Sequence, residues 1–573
     1  MAVTIITAED RIDDIDCHFK VSAGPGAGKT RWLINHIKHV VKKSVRLGKT
    51  RKIACITYTN VAAETILGRL GTQIERVEVS TIHSFLYKHL IKPFAFLVPL
   101  EYQLNVSKLD GHDEVPVYKG MLYDWKAQTN QIYIKDDDKI IEALRDLAWQ
   151  LDSKGGIILR PKKVYAGRIS KTVSIKNESY IEYKKMCWKK GMLGHEDVLF
   201  FSYILSTKFP RVVDVLRAKF PYFFIDEFQD TNPIQTFIIK KIAERETTVG
   251  IVGDVAQSIY GFQGADPDQF CDFSLPGLNE YAILDNHRST NTIVSVLNNI
   301  REDITQCSKR SVEGLPPKML IGSKIWALEK SCEFVEGAVC SLSRDNITSN
   351  VMREKVSHTS LKTNLIDCLR EIDSNTGRAN TIIACIKAIT FAKQSQYKDA
   401  LKELSKELKR GDLDDVPRHS LAILRALLSC QETFYTKSLL EFYGTVSSIL
   451  PMKISGFKAG PIKTFYETNA FYDASLSVNM KEDASFHRTI HKAKGAEFDN
   501  VILVLDKRDK AGKFLEAEEL GFLITPKLKN DEEHRVRYVA VSRARDTLFI
   551  NAPNISDSTK EILIQLGFEI VMQ

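Results

Sequence analysis

Apolar and polar residues follow two rhythms along the chain. Between residues 19 and 90, short β-like runs such as KIACITY and RVEVST are interleaved with a run of helical period, NVAAETILGRL. Strand and helix in alternation predict βαβ units and hence a parallel sheet. From about residue 91 to residue 195 the pattern turns Lys-rich and aromatic, with polar clusters such as KDDDK, and predicts a mainly helical insertion. The first rhythm returns at YFFIDEFQD and TTVGIVGD, and a second α/β block opens near YAILDNHRST. Residues 346–454 read as helical again, with YKDALKELSKELKRG as one helix and Gly411 as its stop. The last block, from FHRTIHKAKGAEFDNVILVLD onward, goes back to strands and helices. The expected layout is two α/β units, each interrupted by a helical insertion. The first takes residues 1–90 and 196–279 around an insertion at 91–195; the second takes 280–345 and 455–573 around an insertion at 346–454.

Composition adds little to this picture but closes some doors. The chain has 573 residues, enough for several compact units, and its 44% hydrophobic content makes core formation unremarkable. A net charge of +8, from 80 basic and 72 acidic residues, is a mild excess, so a polyanion would have to be held by local patches. The acidic start MAVTIITAEDRIDDID lacks the apolar core of a signal peptide, and no run of about 18 apolar residues predicts a membrane span. Ten cysteines stand without a CxxC pair, which points to reduced core thiols in a cytoplasm rather than a metal or iron–sulfur centre.

The chemistry concentrates in three stretches. The first is FKVSAGPGAGKTRWLINHI, Phe19 to Ile37. It ends a β-like run, turns through Ala23, Gly24, Gly26, Ala27 and Gly28, and starts a helix at Lys29 and Thr30. Glycines let backbone N–H groups approach phosphate oxygens, and a helix N-terminus favours an anion. This is a triphosphate cradle in which Lys29 contacts the β- and γ-phosphates and the Thr30 hydroxyl holds Mg²⁺. The second stretch is PYFFIDEFQDTNPIQ, where a buried strand delivers Asp226 and Glu227 at its carboxyl end. Asp226 is the expected Mg²⁺ carboxylate and Glu227 the base that deprotonates the attacking water. In the third, GIVGDVAQSIYGFQGADP, Gln257 is a neutral amide able to sense the γ-phosphate. Tyr260 and Phe262 beside it, taken alone, read as core aromatics.

The order of these blocks resembles the superfamily 1A DNA helicases of the UvrD/Rep/PcrA type. SAGPGAGKTR, ITYTNVAAETILGRL, VSTIHSF, FFIDEFQDTNPIQ, VGDVAQSIYGFQGA, LDNHRST, TIHKAKGAEFDNVILV and EEHRVRYVAVSRARDTLFI match the blocks of that family in sequence order and leave the two insertions unmatched. The resemblance implies two RecA-like motor domains. It implies that Arg31 is a nucleotide-side arginine, and that Glu497 contacts the nucleotide sugar and phosphate region. It further implies that Arg288 and Arg543 are arginine fingers reaching from the second motor unit. Tyr58, Thr59, Asn60, His83, Tyr260, Phe262 and His491 stand at positions that touch single-stranded DNA in the family. The expected partners are single-stranded DNA and 3′-tailed duplex DNA, and no membrane.

The departures shape the functional expectation. The glutamine that reads adenine in the family is replaced by TAEDRIDD, since no Gln precedes Gln73. His287 stands where a base-stacking tyrosine is usual, Phe262 replaces a tryptophan, and Gln263 replaces an arginine. ATP is the expected substrate, with other NTPs admitted by the lost adenine reader. One function class is a DNA-dependent NTPase coupled to 3′-to-5′ translocation on single-stranded DNA and duplex unwinding, with repair and phage defence both open as its setting. The other is a nucleotide-gated subunit of a larger assembly with little unwinding of its own. Helicases with reduced insertions occur in anti-phage systems, among them the Gabija helicase-like subunit, which partners a nuclease. The 30 residues after Arg543 leave no room for a nuclease domain, so any cutting is expected from another protein.

Overall fold

The computed structural model describes the chain except residues 1–2, 110, 113–116, 118, 163–173, 356–363, 409–413, 480–484 and 510. It divides into two compact units, Met1–Val312 with Pro526–Tyr538, and Glu313–Thr525 with Val539–Gln573.

In unit 1 the strands are β1 (Thr4–Ile6), β2 (Phe19–Ala23), β3 (Ile53–Thr57), β4 (Val77–Thr81), β5 (Leu147–Leu151), β6 (Ile157–Pro161), β7 (Tyr222–Ile225), β8 (Thr248–Gly253), β9 (Asn279–Ile283), β10 (Asp285–Asn286) and β11 (Cys307–Ser308). Seven of them form one sheet in the order β1-β9-β2-β8-β7-β3-β4. All its pairings are parallel. Parallel sheets are covered on both faces, so their strands are apolar throughout rather than alternating. The four residues of β7, Tyr-Phe-Phe-Ile, are all buried, and they divide by parity. Tyr222 and Phe224 join Trp32, Leu33 and Ile37 of the helix Lys29–Lys43 on one face. Phe223 and Ile225 join Phe201 and Leu205 of the helix His195–Lys208 on the other. The first insertion has its own core around Trp125, Tyr180 and Tyr183. It is mainly helical, as expected, but also carries the antiparallel hairpin β5–β6.

The sequence reading placed residues 280–345 and 455–573 in the second motor unit; residues 313–345 do fall in unit 2, whereas 280–312 and 526–538 fall in unit 1. Strand β9 is hydrogen-bonded between β1 and β2, so it is an inner strand of the first sheet, and unit 1 runs on to Val312. The reason is non-local. The strand order of a doubly wound sheet is not the chain order, and nothing inside NEYAI reports which neighbours it pairs with.

Unit 2 holds β12 (Lys318–Ile321), β13 (Val339–Ser343), β14 (His487–Thr489), β15 (Phe498–Val504), β16 (Ala544–Ala552) and β17 (Glu569–Met572). They form a parallel sheet in the order β14-β13-β15-β16-β12-β17. The helical insertion of this unit packs one core from Leu365 to Val478. Its helices continue through Pro461–Thr468 and Phe471–Leu476, beyond the expected end at residue 454. The helix Tyr397–Leu408 forms where expected, while its assigned stop, Gly411, lies outside the described residues. No helix of the described residues is long and apolar enough to cross a membrane.

Candidate nucleotide site

The carboxyl ends of β2, β7 and β8 are neighbours in the first sheet, and each hands over to a chemically loaded turn. After β2 the chain turns through Gly26 and Gly28, with φ of 70° and 81°, into the helix Lys29–Lys43. Gly28 is the N-cap and offers no side chain, so the first-turn N–H groups of this helix are left without a side-chain cap. Glycine is also required by crowding. A Cβ on Gly24 would lie 2.5 Å from the Gln306 amide, and one on Gly26 would lie 2.6 Å from Asn286 Oδ1 and 2.7 Å from Arg288 Cβ. The loop is held from that side by hydrogen bonds: His287 N donates to Gly26 O (2.9 Å) and Gln306 Nε2 to Pro25 O (3.0 Å). Lys29 is nearly buried, its Nζ within 3.3 Å of Ala23 O and 3.4 Å of Gly24 O, the inner wall of the cradle.

Strand β7 delivers Asp226 to the same place. Thr30 Oγ1 donates to Asp226 Oδ2 over 3.0 Å, which joins the helix start to the strand end. Burial, then the adjacent charge of Glu227, pushes the Asp226 carboxyl up to about 7, against the pull of Lys29 and Thr30. Among the described residues no group of three or more metal-ligating side chains occurs. Two hard oxygens 3.0 Å apart nevertheless suit a cation that takes its other ligands from phosphate and water, as Mg²⁺ does, and a divalent charge there would return Asp226 to its ionised form. Glu227 takes the left-handed backbone conformation, φ 53°, which turns its side chain out of the strand direction. Its carboxylate accepts a hydrogen bond from Gln229 Nε2.

Strand β8 completes the set. Asp254 N donates to Gln229 Oε1 (3.0 Å), so the Gln229 amide bridges Glu227 and Asp254. Asp254 Oδ2 accepts from Gln257 Nε2 (2.6 Å). Arg301 grips the same carboxylate with both terminal nitrogens, at 3.0 and 3.3 Å, and both side chains are fully buried. Burial raises the Asp254 carboxyl, but the Arg301 guanidinium outweighs that, helped by Lys29 and Gln257, and the group lies below its ordinary range.

Of the residues expected to meet single-stranded DNA, Tyr58 and Tyr260 form a stacked pair, 4.6 Å between centroids and 18° between planes. The Tyr58 hydroxyl donates to Gln263. Phe262 lies 6.1 Å from Tyr260 and is 59% exposed, so the reading of this ring as core is wrong. Thr59 caps the helix Asn60–Leu70 by accepting from Ala62 N (3.1 Å), and Asn60 is exposed at its first position. His83 follows β4 and faces His195, 5.5 Å between ring centroids; burial, with His195 and His112 nearby, pushes it down to about 3, so it stays neutral. In unit 2, His491 follows β14 and Glu497 is exposed just before β15. Arg543 is buried, donating to Val539 O (3.0 Å), Ala496 O (3.3 Å) and Ser542 Oγ (2.9 Å).

Residues 8–275 match the UvrD/REP helicase N-terminal domain, and residues 341–554 match the UvrD-like helicase C-terminal domain. The chain belongs to the UvrD/Rep helicase family. It is similar to the ATP-dependent DNA helicase PcrA of Bacillus subtilis, 28% identical over 387 residues, which covers 62% of this chain and 49% of that protein. The ATP-dependent DNA helicase PcrA of Staphylococcus aureus is 28% identical over 320 residues, 55% of this chain and 41% of that one. DNA helicase II of Salmonella typhimurium is 28% identical over 292 residues, 49% and 38% of the two chains. The aligned stretches thus span half or less of the length of these relatives.

Within this UvrD-like chain, unit 1 brings together Ala23 to Arg31, Asp226, Glu227, Gln257, His287 and Arg288. Arg31 pairs with Glu9 at 2.7 Å on the surface. Arg288 does not come from the second unit as expected. Its backbone N donates to Asn286 Oδ1 (2.9 Å) and its Cβ stands beside Gly26, because the chain leaving β9 emerges next to the loop that follows β2. Arg543 does lie in unit 2. Sequence reasoning missed Gln229, Asn286, Arg301 and Gln306. Gln229 lies inside a quoted motif, three residues after Asp226, and its amide could have been read as a bridge; Arg301 and Gln306 carry no local signal.

Proposed function

We propose that the chain is a DNA-stimulated NTPase that uses ATP to move 3′-to-5′ along single-stranded DNA and to open 3′-tailed duplexes. The observation that carries the reading is the convergence of Lys29, Thr30, Asp226, Glu227 and Gln257 on adjacent strand ends of one parallel sheet, beside a glycine loop. Thr30 and Asp226 would hold Mg²⁺, which neutralises charge on the β- and γ-oxygens when bound. Lys29 binds the same phosphates from inside the cradle. Glu227 orients a water and accepts its proton as that oxygen bonds to the γ-phosphorus and the β–γ bridge oxygen departs with ADP. Gln257, steadied by Asp254, senses the γ-phosphate. Arg288 and Arg543 supply delocalised positive charge to the transition state, a contribution of about 10³–10⁵ in rate where such fingers have been measured. Tyr58–Tyr260 and Phe262 offer ring faces for bases, which gives grip without sequence preference. His287, 51% exposed on its side chain, replaces a larger stacking ring, and this supports use of GTP alongside ATP.

Phosphate release measured with ATP and GTP, alone and with single-stranded DNA or RNA, tests the reading together with displacement from 3′- and 5′-tailed duplexes. DNA stimulation, comparable ATP and GTP turnover and displacement only from the 3′ tail are expected. Stimulation without displacement would make the chain a nucleotide-gated subunit, and turnover indifferent to DNA would sink the motor.

A further inference from the structure

One stripe of side chains spaced three residues apart fastens the helix Glu532–Val541 to the Asp254–Gln263 loop and to Arg301, which itself holds Asp254. Glu532 Oε1 accepts from Gly261 N (2.9 Å), and a Cβ on Gly261 would lie 2.5 Å from that carboxylate. Arg535 Nε donates to Ser258 O (2.6 Å) from a buried position. The Tyr538 hydroxyl accepts from Arg301 Nη1 (3.1 Å). All these groups belong to unit 1, whose share of the helix ends at Tyr538; the helix residues from Val539 on, and Arg543 beyond them, belong to unit 2.

Arg301 is the hub of this arrangement. Its guanidinium holds Asp254, which holds the Gln257 amide, and the same guanidinium reaches Tyr538. Asp303 takes Nε and Nη2, both at 2.8 Å, and fixes the plane of the group. A buried ion pair adds little stability over a well-packed apolar pair, so its return is geometric. We infer that Arg301 and Tyr538 are positioning residues that lock the Gln257 amide to the helix leading to Arg543, so that a change at the γ-phosphate sensor and a change in that helix occur together. The inference rests on the proposed motor function for its kinetic consequence, though not for its structural one.

Tyrosine 538 permits a mild test, because Tyr538→Phe keeps the ring and removes only the hydroxyl. In the full-length chain, Tyr538→Phe and Arg301→Lys are each expected to lower DNA-stimulated kcat about tenfold while the KM for ATP changes less than about twofold. The double variant should fall no further than Arg301→Lys alone, since both act through one link. Hydrogen exchange supplies a readout that needs no turnover. A non-hydrolysable ATP analogue with Mg²⁺ should slow exchange of the 532–541 amides in the wild type and not in either variant. Stimulated kcat within about twofold of wild type for Tyr538→Phe, additive effects in the double variant, or equal analogue protection in all three proteins would each overturn the inference. A wild type that shows no turnover would refute the motor reading instead, and the exchange result would then decide the link by itself.

Discussion

The two parallel sheets are built alike and finish differently. In unit 2 the turns after β12 and β13 go to their own helices: Ser323 caps Lys324–Glu333 through Trp326 N, and Asp345 caps Asn346–Glu354 through Thr348 N. Ser323 and Asp345 are thereby committed to their own helix starts, while Asp506 after β15 pairs with Lys324 after β12 at 2.6 Å. In unit 1 the helix after β2 starts behind a glycine; Asn232 caps the helix after β7 and Asp254 caps the short turn after β8, but Glu227, Gln229, Asp254 and Gln257 also bond to one another across the two strand ends. Asp226, Glu227, Gln229, Asp254 and Gln257 form a network whose members come from different strands. The difference shows how a repeated architecture separates labour. In unit 1 the side chains that bond between the ends of β7 and β8 lie beside a glycine loop, and in unit 2 the ends of β12 and β13 lead into capped helices.

Charge balance within that network gives the largest expected effects. Arg301→Met strands the Asp254 carboxylate in a dry setting and should lower unfolding free energy by about 3–5 kcal/mol, read from urea denaturation. Adding Asp254→Asn should restore most of it, because the uncompensated charge is then gone. Failure of the second change to rescue would show that packing, not charge, sets the cost.

Asp226 behaves oppositely to Asp254, and pH separates them. Its folded pKa of about 7 stands above the ordinary 3.8, so its contribution to stability is fully present below pH 3.8 and is lost as pH rises through 7. Asp254 is lowered, so its contribution is present above 3.8 and is lost as pH falls. In nucleotide-free protein, Asp226→Asn should therefore stabilise at pH 8, by at most about 4 kcal/mol, and flatten the decline between pH 4 and 7 in thermal melts. A wild-type melting curve that is level over that window would contradict the assignment.

Backbone crowding comes next. Gly26→Ala places a methyl against Asn286 and Arg288 in a left-handed turn and should cost about 1–3 kcal/mol along with nucleotide affinity. Gly264→Ala, also at positive φ but facing open space, should cost less and leave nucleotide binding intact, as isothermal titration would show. The smallest effect is confined to DNA. Phe262→Ala should weaken single-strand binding by about 1–3 kcal/mol and spare basal hydrolysis, measured by fluorescence anisotropy beside phosphate release.

Much of this edge was legible in the sequence because its signals are contiguous. The glycines lie directly between a β-like run and Lys29–Thr30, and Asp226–Glu227 directly follow four apolar residues. Parity along β7 then follows from strand geometry. What was hidden is long-range. The pairing of β9 between β1 and β2, with β10 pairing β11, carries Asn286, Arg288 and Gln306 to the glycine loop after β2, and no local pattern encodes that neighbour relation. Arg301 follows an amphipathic helix and reads as surface charge, yet it meets Asp254 from 47 residues away. Phe262 was misjudged because aromatic residues usually bury, and a short exposed turn overrides that tendency.

The most direct test of the cross-strand site is Glu227→Gln, which keeps shape and hydrogen bonding near Gln229 while removing the base. Phosphate release with ATP, Mg²⁺ and single-stranded DNA should fall by about 10²–10⁴-fold, with affinity for a non-hydrolysable ATP analogue unchanged within about twofold. Turnover that survives the substitution would place the reacting water elsewhere and contradict the account.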